Sequence, residues 1–238
     1  MNSTVMKKTL CVLSLALGLG WSDAAFAQLI NVNFTSPSAA SYFGAAVVGA
    51  AGDHWNAITD FSGTPIAGLK DSDGNTTGVT VSAPAFGWSY QPGNSGFTGT
   101  PYQELMAGYI FEFNSAASAR TIAFTGLSSN SAYDLYIYSQ GDKSAMDRTL
   151  NVDVNGAFFS TTASNGNVSS FIPNQNYLHI HALTDGGGNL SIKYWKVSPP
   201  EADINGIQLV SSVPEPATVV LIGAGGIVAI AMKRKERE

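Results

Sequence analysis

Apolar and polar residues alternate along much of the chain with a period of two, which is the pattern of half-buried β-strands. Four of the predicted strands show this alternation: Leu29–Phe34, Tyr133–Tyr138, Tyr177–Ala182 and Ile204–Val210. Asn155-Gly156 lies between two such segments and predicts a tight hairpin turn. The pattern predicts about nine short strands joined by Gly-rich turns, with one short helical turn at residues 101–107. We therefore expect an all-β fold, a single antiparallel jelly-roll-like β-sandwich.

The N-terminus has the features of a secretory signal peptide. Two lysines, Lys7 and Lys8, precede a short apolar run, and Ala25-Phe26-Ala27 fits the small-x-small rule of signal peptidase. We expect a signal-peptide helix at residues 1–27, with cleavage after Ala27. A signal anchor is the alternative, although the apolar run is short for a membrane span.

Charge and cysteine content narrow the functions of the central domain, residues 28–212. It contains six Lys/Arg and thirteen Asp/Glu, a net charge near minus seven. Nucleic-acid binding needs clustered cations, so this balance argues against it. The only cysteine, Cys11, lies in the expected signal peptide, which excludes disulfides, thiol catalysis and cysteine-ligated zinc from the mature domain.

The C-terminus combines three features in a fixed order. Val213-Pro214-Glu215-Pro216 is followed by an apolar stretch, residues 217–232, and then by the basic residues Lys233, Arg234 and Lys235. At about 1.5 Å per residue the stretch falls short of the ~30 Å hydrocarbon core, so we expect a short transmembrane helix. The basic tail should remain cytoplasmic. A permanent tail anchor is the alternative to a temporary one.

Residues 213–238 resemble a PEP-CTERM sorting signal. The resemblance implies export, transient anchoring in the inner membrane and cleavage near Pro214-Glu215-Pro216 by an exosortase-type enzyme. It also implies delivery to the cell surface or extracellular matrix of a Gram-negative-type bacterium.

The body of the chain resembles exported domains with a galactose-binding-like or malectin-like sandwich. Five segments carry the resemblance: INVNF, GAAGDHWN, LKDSDGNTTGVTVS, FTGLSSNSAYDLYIYSQGD and DINGIQLV. It implies that the first and last strands lie side by side and that carbohydrate binding is a common role, although a fold does not assign a function.

Two segments are candidates for a carbohydrate site, because sugars stack on aromatic rings and bind polar side chains through their hydroxyls. The first offers Asp53, Trp55 and Asn56, and the second, in a Pro- and Gly-rich loop, offers Trp88 and Tyr90. Each has a structural alternative. Trp55 would fill the end of the sandwich while Asp53 or Asn56 caps backbone amides, and Trp88 and Tyr90 would lie on one face of another strand.

We expect no metal and no cofactor. His179 and His181 share one face of a predicted strand, but zinc needs further ligands, which only His54 or a remote carboxylate would supply. Asp71 to Asn75 is expected to be an Asx-rich turn, since Thr76 and Ser82 stand where a calcium loop requires Gly and Glu. A structural calcium on carboxylates such as Asp53, Asp142 or Asp203 stays open.

The resulting hypothesis is a non-enzymatic surface or matrix protein, with weak binding of an exopolysaccharide or a structural matrix role. Its partners would be the exosortase, the inner membrane transiently and the exopolysaccharide. A carbohydrate-active hydrolase is one alternative, and it requires two carboxylates that converge in the fold. A protein–protein adhesion module is the other, and it requires a contiguous exposed apolar patch.

Overall fold

The computed structural model describes residues 28–144, 146–162, 164–197 and 201–212. The expected signal peptide, sorting signal and transmembrane helix lie outside the described residues. Ala27–Ser212 forms one compact unit. Among the described helices, none has both the length and the hydropathy of a membrane span.

Strands account for most of the regular structure. In the described ranges they are β1 (Leu29–Phe34), β2 (Asn56–Ile58), β3 (Thr80–Ser82), β4 (Gly87–Tyr90), β5 (Gly108–Glu112), β6 (Arg120–Thr125), β7 (Ala132–Tyr138), β8 (Met146–Arg148), β9 (Leu150–Val154), β10 (Ala157–Ser160), β11 (Ser164–Asn165), β12 (Tyr177–Leu183), β13 (Leu190–Lys196), β14 (Ala202–Ile204) and β15 (Gly206–Ser211). The helices described are α1 (Gln103–Ala107) and a 3-10 turn at Ala116–Ser118.

Two five-stranded sheets form the sandwich. The strand order of the first sheet is β12-β7-β15-β1-β2, and that of the second is β10-β9-β13-β6-β3. Apolar side chains from both sheets meet in one buried core that includes Ile30, Val32, Leu135, Ile137, Ile207 and Leu209 from the first sheet and Val81, Ile122, Phe124, Val152 and Ile192 from the second. A three-stranded sheet, β14-β5-β4, and the pair β11-β8 complete the described strands.

The predicted all-β sandwich is confirmed. β1 pairs with β15 in antiparallel register, Ile30 opposite Leu209, so the first and last strands lie side by side as expected. β9 and β10 form the expected hairpin, with Asn155 and Gly156 at φ values of 55° and 84°. These left-handed conformations are the ones that Asn and Gly tolerate best.

Strand pairing departs from the purely antiparallel expectation at one described sheet edge. β2 runs parallel to β1. A parallel neighbour needs a long connection, and the chain supplies one between Phe34 and Asn56. Part of this connection covers the outer side of the first sheet, where Tyr42 and Trp55 form a second hydrophobic cluster with Tyr138.

That cover explains why polar positions of the central strands are buried. Asn31 and Gln208 are both fully buried although they alternate with core residues. Gln208 donates a 2.8 Å hydrogen bond to Asn31 Oδ1 and accepts one from the Tyr138 hydroxyl. Asn31 in turn donates to the carbonyl of His54 at 2.9 Å. These strands are therefore buried on both faces, and hydrogen bonds link the Asn31, Gln208 and Tyr138 side chains on the outer face.

The strand predicted at residues 204–210 is divided at Asn205. β14 belongs to the three-stranded sheet, and β15 belongs to the first five-stranded sheet. Asn205 is buried at the junction, where its Oδ1 accepts from the amide of Gln140 at 2.6 Å and its Nδ2 donates to the carbonyl of Gly108 at 2.9 Å. This side chain thus links β5 of the three-stranded sheet to the segment that follows β7 of the sandwich.

Candidate functional site

The structure gives the first candidate segment structural contacts. Trp55 is 2% exposed and donates to the carbonyl of Gly44 at 2.8 Å. Asp53 accepts from the amide of Ala50 at 2.8 Å. Asn56 donates to the carbonyls of Asn31 and Lys70 and accepts from the Lys70 amide at 2.8 Å. These contacts favour the structural alternative, because Trp55 has no free ring face and the Asp53 and Asn56 side chains form hydrogen bonds with backbone groups.

The second candidate segment lies elsewhere, in the three-stranded sheet. Trp88 and Tyr90 are on β4, which pairs with β5, so this stretch of the loop is a strand. Trp88 is 47% exposed, and its ring lies 6.5 Å from that of Phe61. The Tyr90 hydroxyl donates to Glu104 Oε2 at 2.7 Å, and burial together with Glu104 raises the pKa of Tyr90 to about 12.

Three phenylalanines at β4 and β5, two of them exposed and Phe111 half-buried, form a group that we call the aromatic platform: Phe86, Phe111 and Phe113. The ring centroids of Phe86 and Phe113 are 4.8 Å apart, and Phe111 lies 6.1 Å from Phe86 and 5.4 Å from Phe113. Phe86 is 57% exposed and Phe113 is 38% exposed. Gly87 contributes by having no side chain, since a Cβ there would collide with the Phe111 ring.

A group of titratable side chains, which we call the charged cluster, comprises Asp142, Arg148, Glu201 and Asp203. Arg148 Nη1 lies 2.7 Å from Glu201 Oε1 and 2.9 Å from Asp203 Oδ2, and Nη2 lies 3.9 Å from Asp142 Oδ2. The side chains of Arg148, Asp142 and Glu201 are about one-tenth exposed, and that of Asp203 is buried. Three carboxyl groups therefore surround one guanidinium at the edge of solvent.

Tyr109 joins the charged cluster to the aromatic platform. It lies two residues before Phe111 on β5, so both side chains point to the same side of the three-stranded sheet. The guanidinium carbon of Arg148 is 5.7 Å from the centre of the Tyr109 ring, and the Tyr109 hydroxyl is 3.4 Å from Asp142 Oδ2. Asp203 of β14 pairs directly with Phe111 across the strands. Platform and cluster thus form one continuous face.

Neutral polar side chains border the charged cluster. Gln91 Nε2 lies 3.5 Å from Asp142 Oδ2 and donates to the Ser89 hydroxyl at 3.0 Å. The amide of Ser144 donates to Asp142 Oδ1 at 2.9 Å. Carboxylate, guanidinium, carboxamide and hydroxyl groups therefore lie close together beside Tyr109, whose ring centroid is 6.4 Å from that of Phe111 in the aromatic platform. Such groups can hydrogen-bond to the hydroxyls of a polyhydroxylated ligand.

Burial and ion pairing act against each other in the charged cluster. Burial raises the pKa of Asp203 and that of Glu201, and Arg148 opposes both shifts. Burial also works to raise the pKa of Asp142, but hydrogen bonds from Ser144 and the charge of Arg148 leave it below the usual value. Burial therefore favours the protonated forms of Asp203 and Glu201, whereas Arg148 favours their ionised forms.

Two buried polar atoms of the charged cluster have no hydrogen-bond partner among the described residues, Arg148 Nε and Asp203 Oδ1. Such atoms are rare in folded proteins. Asp142 and Asp203, considered above as calcium ligands, do come together, and Asp53 does not join them. Arg148 provides the positive charge between them.

Sequence reasoning missed Arg148, Glu201 and the aromatic platform as site residues. Sparse charge was the available signal, since charged side chains are almost never fully buried unless they are paired. The convergence of residues 142, 148, 201 and 203 depends on β14 joining β5, which alternation does not reveal.

Comparison with known proteins adds information on the C-terminus. Residues 212–235 match the PEP-CTERM protein-sorting motif, which confirms the resemblance found there and implies export with transient membrane anchoring before processing. No curated protein matches the chain.

Several solved structures are similar to it in part. Protein YXIM of Bacillus subtilis shares 10% identity at a TM-score of 0.41, over 80% of this chain and 42% of its own length. The CBM35 from Cellvibrio japonicus Abf62 shares 15% identity at a TM-score of 0.33, over 54% of this chain and 86% of its own. The CBM36-1 domain of a multidomain xylanase from the hindgut metagenome of Trinervitermes trinervoides shares 13% identity at a TM-score of 0.26. The match covers 43% of this chain and 77% of that domain. The chain thus spans less than half of the Bacillus subtilis protein.

Proposed function

We propose that this protein is an exported, non-enzymatic surface or matrix protein that binds exopolysaccharide through the outer face of its three-stranded sheet. The PEP-CTERM motif directs it through the inner membrane to an exosortase, which releases it to the cell surface or the extracellular matrix. A signal peptide at residues 1–27 starts the export, and residues 28–212 form the binding domain.

One observation carries the binding proposal: the aromatic platform and the charged cluster adjoin on one face. The apolar C–H face of a sugar ring would stack on Phe86 and Phe113, which have free ring surface. Hydroxyls of the same or the next sugar would reach Gln91, Asp142 and Arg148. Exposed aromatic patches of this kind on monomeric proteins mark interaction sites.

The composition of the site determines how tightly it should bind polysaccharide and whether binding should require a cofactor. The platform is a surface feature with only part of each ring exposed, so a single sugar would bind weakly and a repeating polymer would gain through several contacts. We expect no cofactor requirement, since Arg148 already lies between the acids that a structural calcium would bind. Retention on polysaccharide should therefore be the same with and without EDTA.

Affinity gel electrophoresis tests the proposal. The full chain, purified in detergent, is run through native gels containing the exopolysaccharide of the producing cells, xylan, mannan or galactan. We expect retardation by at least one polymer, and a clear loss of retardation in the double variant F86A/F113A. Phe158 is 71% exposed but lies on β10 of the second sheet, so F158A is the matched control and should migrate like the unchanged protein.

Two results would count against polysaccharide binding. The first is the absence of retardation by every polymer tested, which would leave a structural or protein-adhesion role for the platform. The second is equal retardation of F86A/F113A and the unchanged protein, which would move any binding site away from this face.

A hydrolase is the second candidate, because Glu201 and Asp203 converge and both have raised pKa values. Their geometry favours binding instead. Both carboxyl groups contact the same nitrogen of Arg148, whereas glycosidase carboxyls flank the sugar at separations of roughly 5 Å or more. Release of reducing ends from a retarding polymer, abolished in E201Q, would establish the hydrolase and refute the non-enzymatic assignment.

A further inference from the structure

A second cluster of ligating side chains lies on the first five-stranded sheet. His179 and His181 are on β12, and their side chains point to the same side as alternate residues of a strand. β7 is the antiparallel neighbour of β12, and there Asp134 pairs directly with His181 while Tyr136 pairs with His179. The two histidines need a further ligand to bind a metal ion, and Asp134 on the adjacent strand supplies a carboxylate.

The three side chains already converge on a small volume. Asp134 Oδ1 lies 3.1 Å from His179 Nε2 and 2.5 Å from His181 Nδ1. All three ligand atoms lie within 4.8 Å of one another. Zinc bonds to nitrogen and carboxylate oxygen measure roughly 2.0–2.2 Å, so an ion between the three atoms requires shifts of side-chain torsions only.

Ring packing holds one of the histidines in position. The rings of Tyr136 and His179 stack with their centroids 4.4 Å apart and an angle of 3° between planes. The His181 ring packs edge-to-face against His179 at 4.9 Å. Within the described residues, the ion-pair partners of Asp134 are these two histidines, so no lysine or arginine there competes with a bound cation.

We propose that Asp134, His179 and His181 form a binding site for a divalent first-row transition metal, Zn²⁺ or Cu²⁺. Two imidazoles and one carboxylate are ligands that both ions accept, with Cu²⁺ bound more tightly at the same ligands. His181 is 84% exposed and His179 41% exposed, so water completes the coordination. The ion would tie β12, an edge strand, to β7.

Zinc titration tests the site, and the sequence supplies a matched control. The protein has three histidines, and His54 lies outside the cluster, where its ring packs against Phe43. The full chain is purified in detergent without a polyhistidine tag and titrated with Zn²⁺ by calorimetry. We expect one Zn²⁺ per chain, binding at least tenfold weaker in H181A and in D134N, and H54A binding like the unchanged protein.

Two further readouts separate a coordination site from loosely bound ions. Zn²⁺ should raise the melting temperature of the unchanged protein and of H54A but not that of H181A, since a ligand that binds the folded state stabilises it. The electron paramagnetic resonance spectrum of the Cu²⁺ complex should show two imidazole nitrogens. Absence of Zn²⁺ and Cu²⁺ binding, or equal weakening by H54A and H181A, would overturn the proposal. His181 is largely exposed, so H181A should keep its fold, which circular dichroism verifies.

Discussion

At the scale of single residues, Arg148 is the most consequential side chain of the candidate binding face. It contacts Glu201 and Asp203 directly and lies over the Tyr109 ring. Taking charges out of water is costly, and a buried ion pair offsets this cost only when its geometry is good and its remaining polar atoms are hydrogen-bonded. The cluster places these groups beside Tyr109, which packs against Phe111 of the aromatic platform.

Asp203 leads to a prediction on pH. Burial raises its pKa from the ordinary value of 3.8 to about 7. The folded state therefore holds a proton that the unfolded state releases, and this contribution to stability is lost as pH rises through the folded pKa. The variant Asp203→Asn has no titrating group at this position, so it does not lose this contribution. The free energy of unfolding of the variant minus that of the unchanged protein should therefore rise between about pH 4 and pH 8. The rise should be about 1.4 kcal/mol for each unit by which the folded pKa of Asp203 is raised.

Urea denaturation at several pH values measures this difference. Asp185→Asn is the matched control, because Asp185 is exposed and hydrogen bonds from Asn189 lower its pKa. Both its folded and unfolded forms are ionised above about pH 5, so that variant should differ from the unchanged protein by a constant amount. A stability difference for Asp203→Asn that is independent of pH, or that falls as pH rises, would contradict the assignment.

Individual site residues were only partly predictable. Trp88 and Tyr90 were selected as aromatic residues of a Pro- and Gly-rich loop, and the structure places them on the edge strand β4, on the face opposite to that of Phe111. Trp55 shows the same aromatic and polar neighbours in sequence, yet it is buried. Nothing in the local sequence separates these cases, because exposure is decided by the long connection that folds over the first sheet.

At the scale of elements, the junction between β14 and β15 connects the three-stranded sheet, which carries the candidate binding face, to the first five-stranded sheet. Asn205 bonds to Gln140, Met106 and Gly108 from one buried side chain. Asn205→Ala would remove one hydrogen-bond partner from each of these three buried backbone groups, although the Met106 carbonyl still accepts from the Ser95 hydroxyl. A buried group left without a partner costs about 1–3 kcal/mol. We expect the free energy of unfolding to fall by about 3 kcal/mol, with weaker retention on polysaccharide in the fraction that stays folded.

Chemical denaturation of Asn205→Ala checks this expectation. A loss well under 1 kcal/mol would mean that water replaces the side chain at the junction and that the three-stranded sheet is held by other contacts.

Strands with a strong alternation of apolar and polar residues were predictable, whereas the positions at which a strand is interrupted were not. β7 and β12 agree with the expected strands to within one residue, because one face of each packs in the core. The strand expected at 204–210 is interrupted, since its polar residue Asn205 satisfies the backbone of two sheets at once. The short strand β2 lacked a signal, because three residues are too few to show a period.

At the scale of the whole molecule, the sorting motif and the sandwich have separate roles. The motif lies outside the described residues, and its function depends on recognition by the processing enzyme. Replacing Pro214-Glu215-Pro216 by three alanines should leave the fold of residues 28–212 unchanged and abolish trimming, so the full-length chain should accumulate in the inner membrane. Immunoblotting of membrane and released fractions measures this, and normal trimming and release of the variant would contradict the sorting assignment.

In the proposed function, bound polysaccharide covers the aromatic platform. Hydroxyl-radical footprinting with mass spectrometry measures this directly in the unchanged protein, because exposed phenylalanine rings oxidise readily and a bound polymer shields them. With a saturating amount of a polysaccharide that retards the protein, we predict slower oxidation of Phe86 and Phe113, while Phe158 on the second sheet keeps its rate. Unchanged rates at Phe86 and Phe113 in the presence of bound polysaccharide would contradict the account.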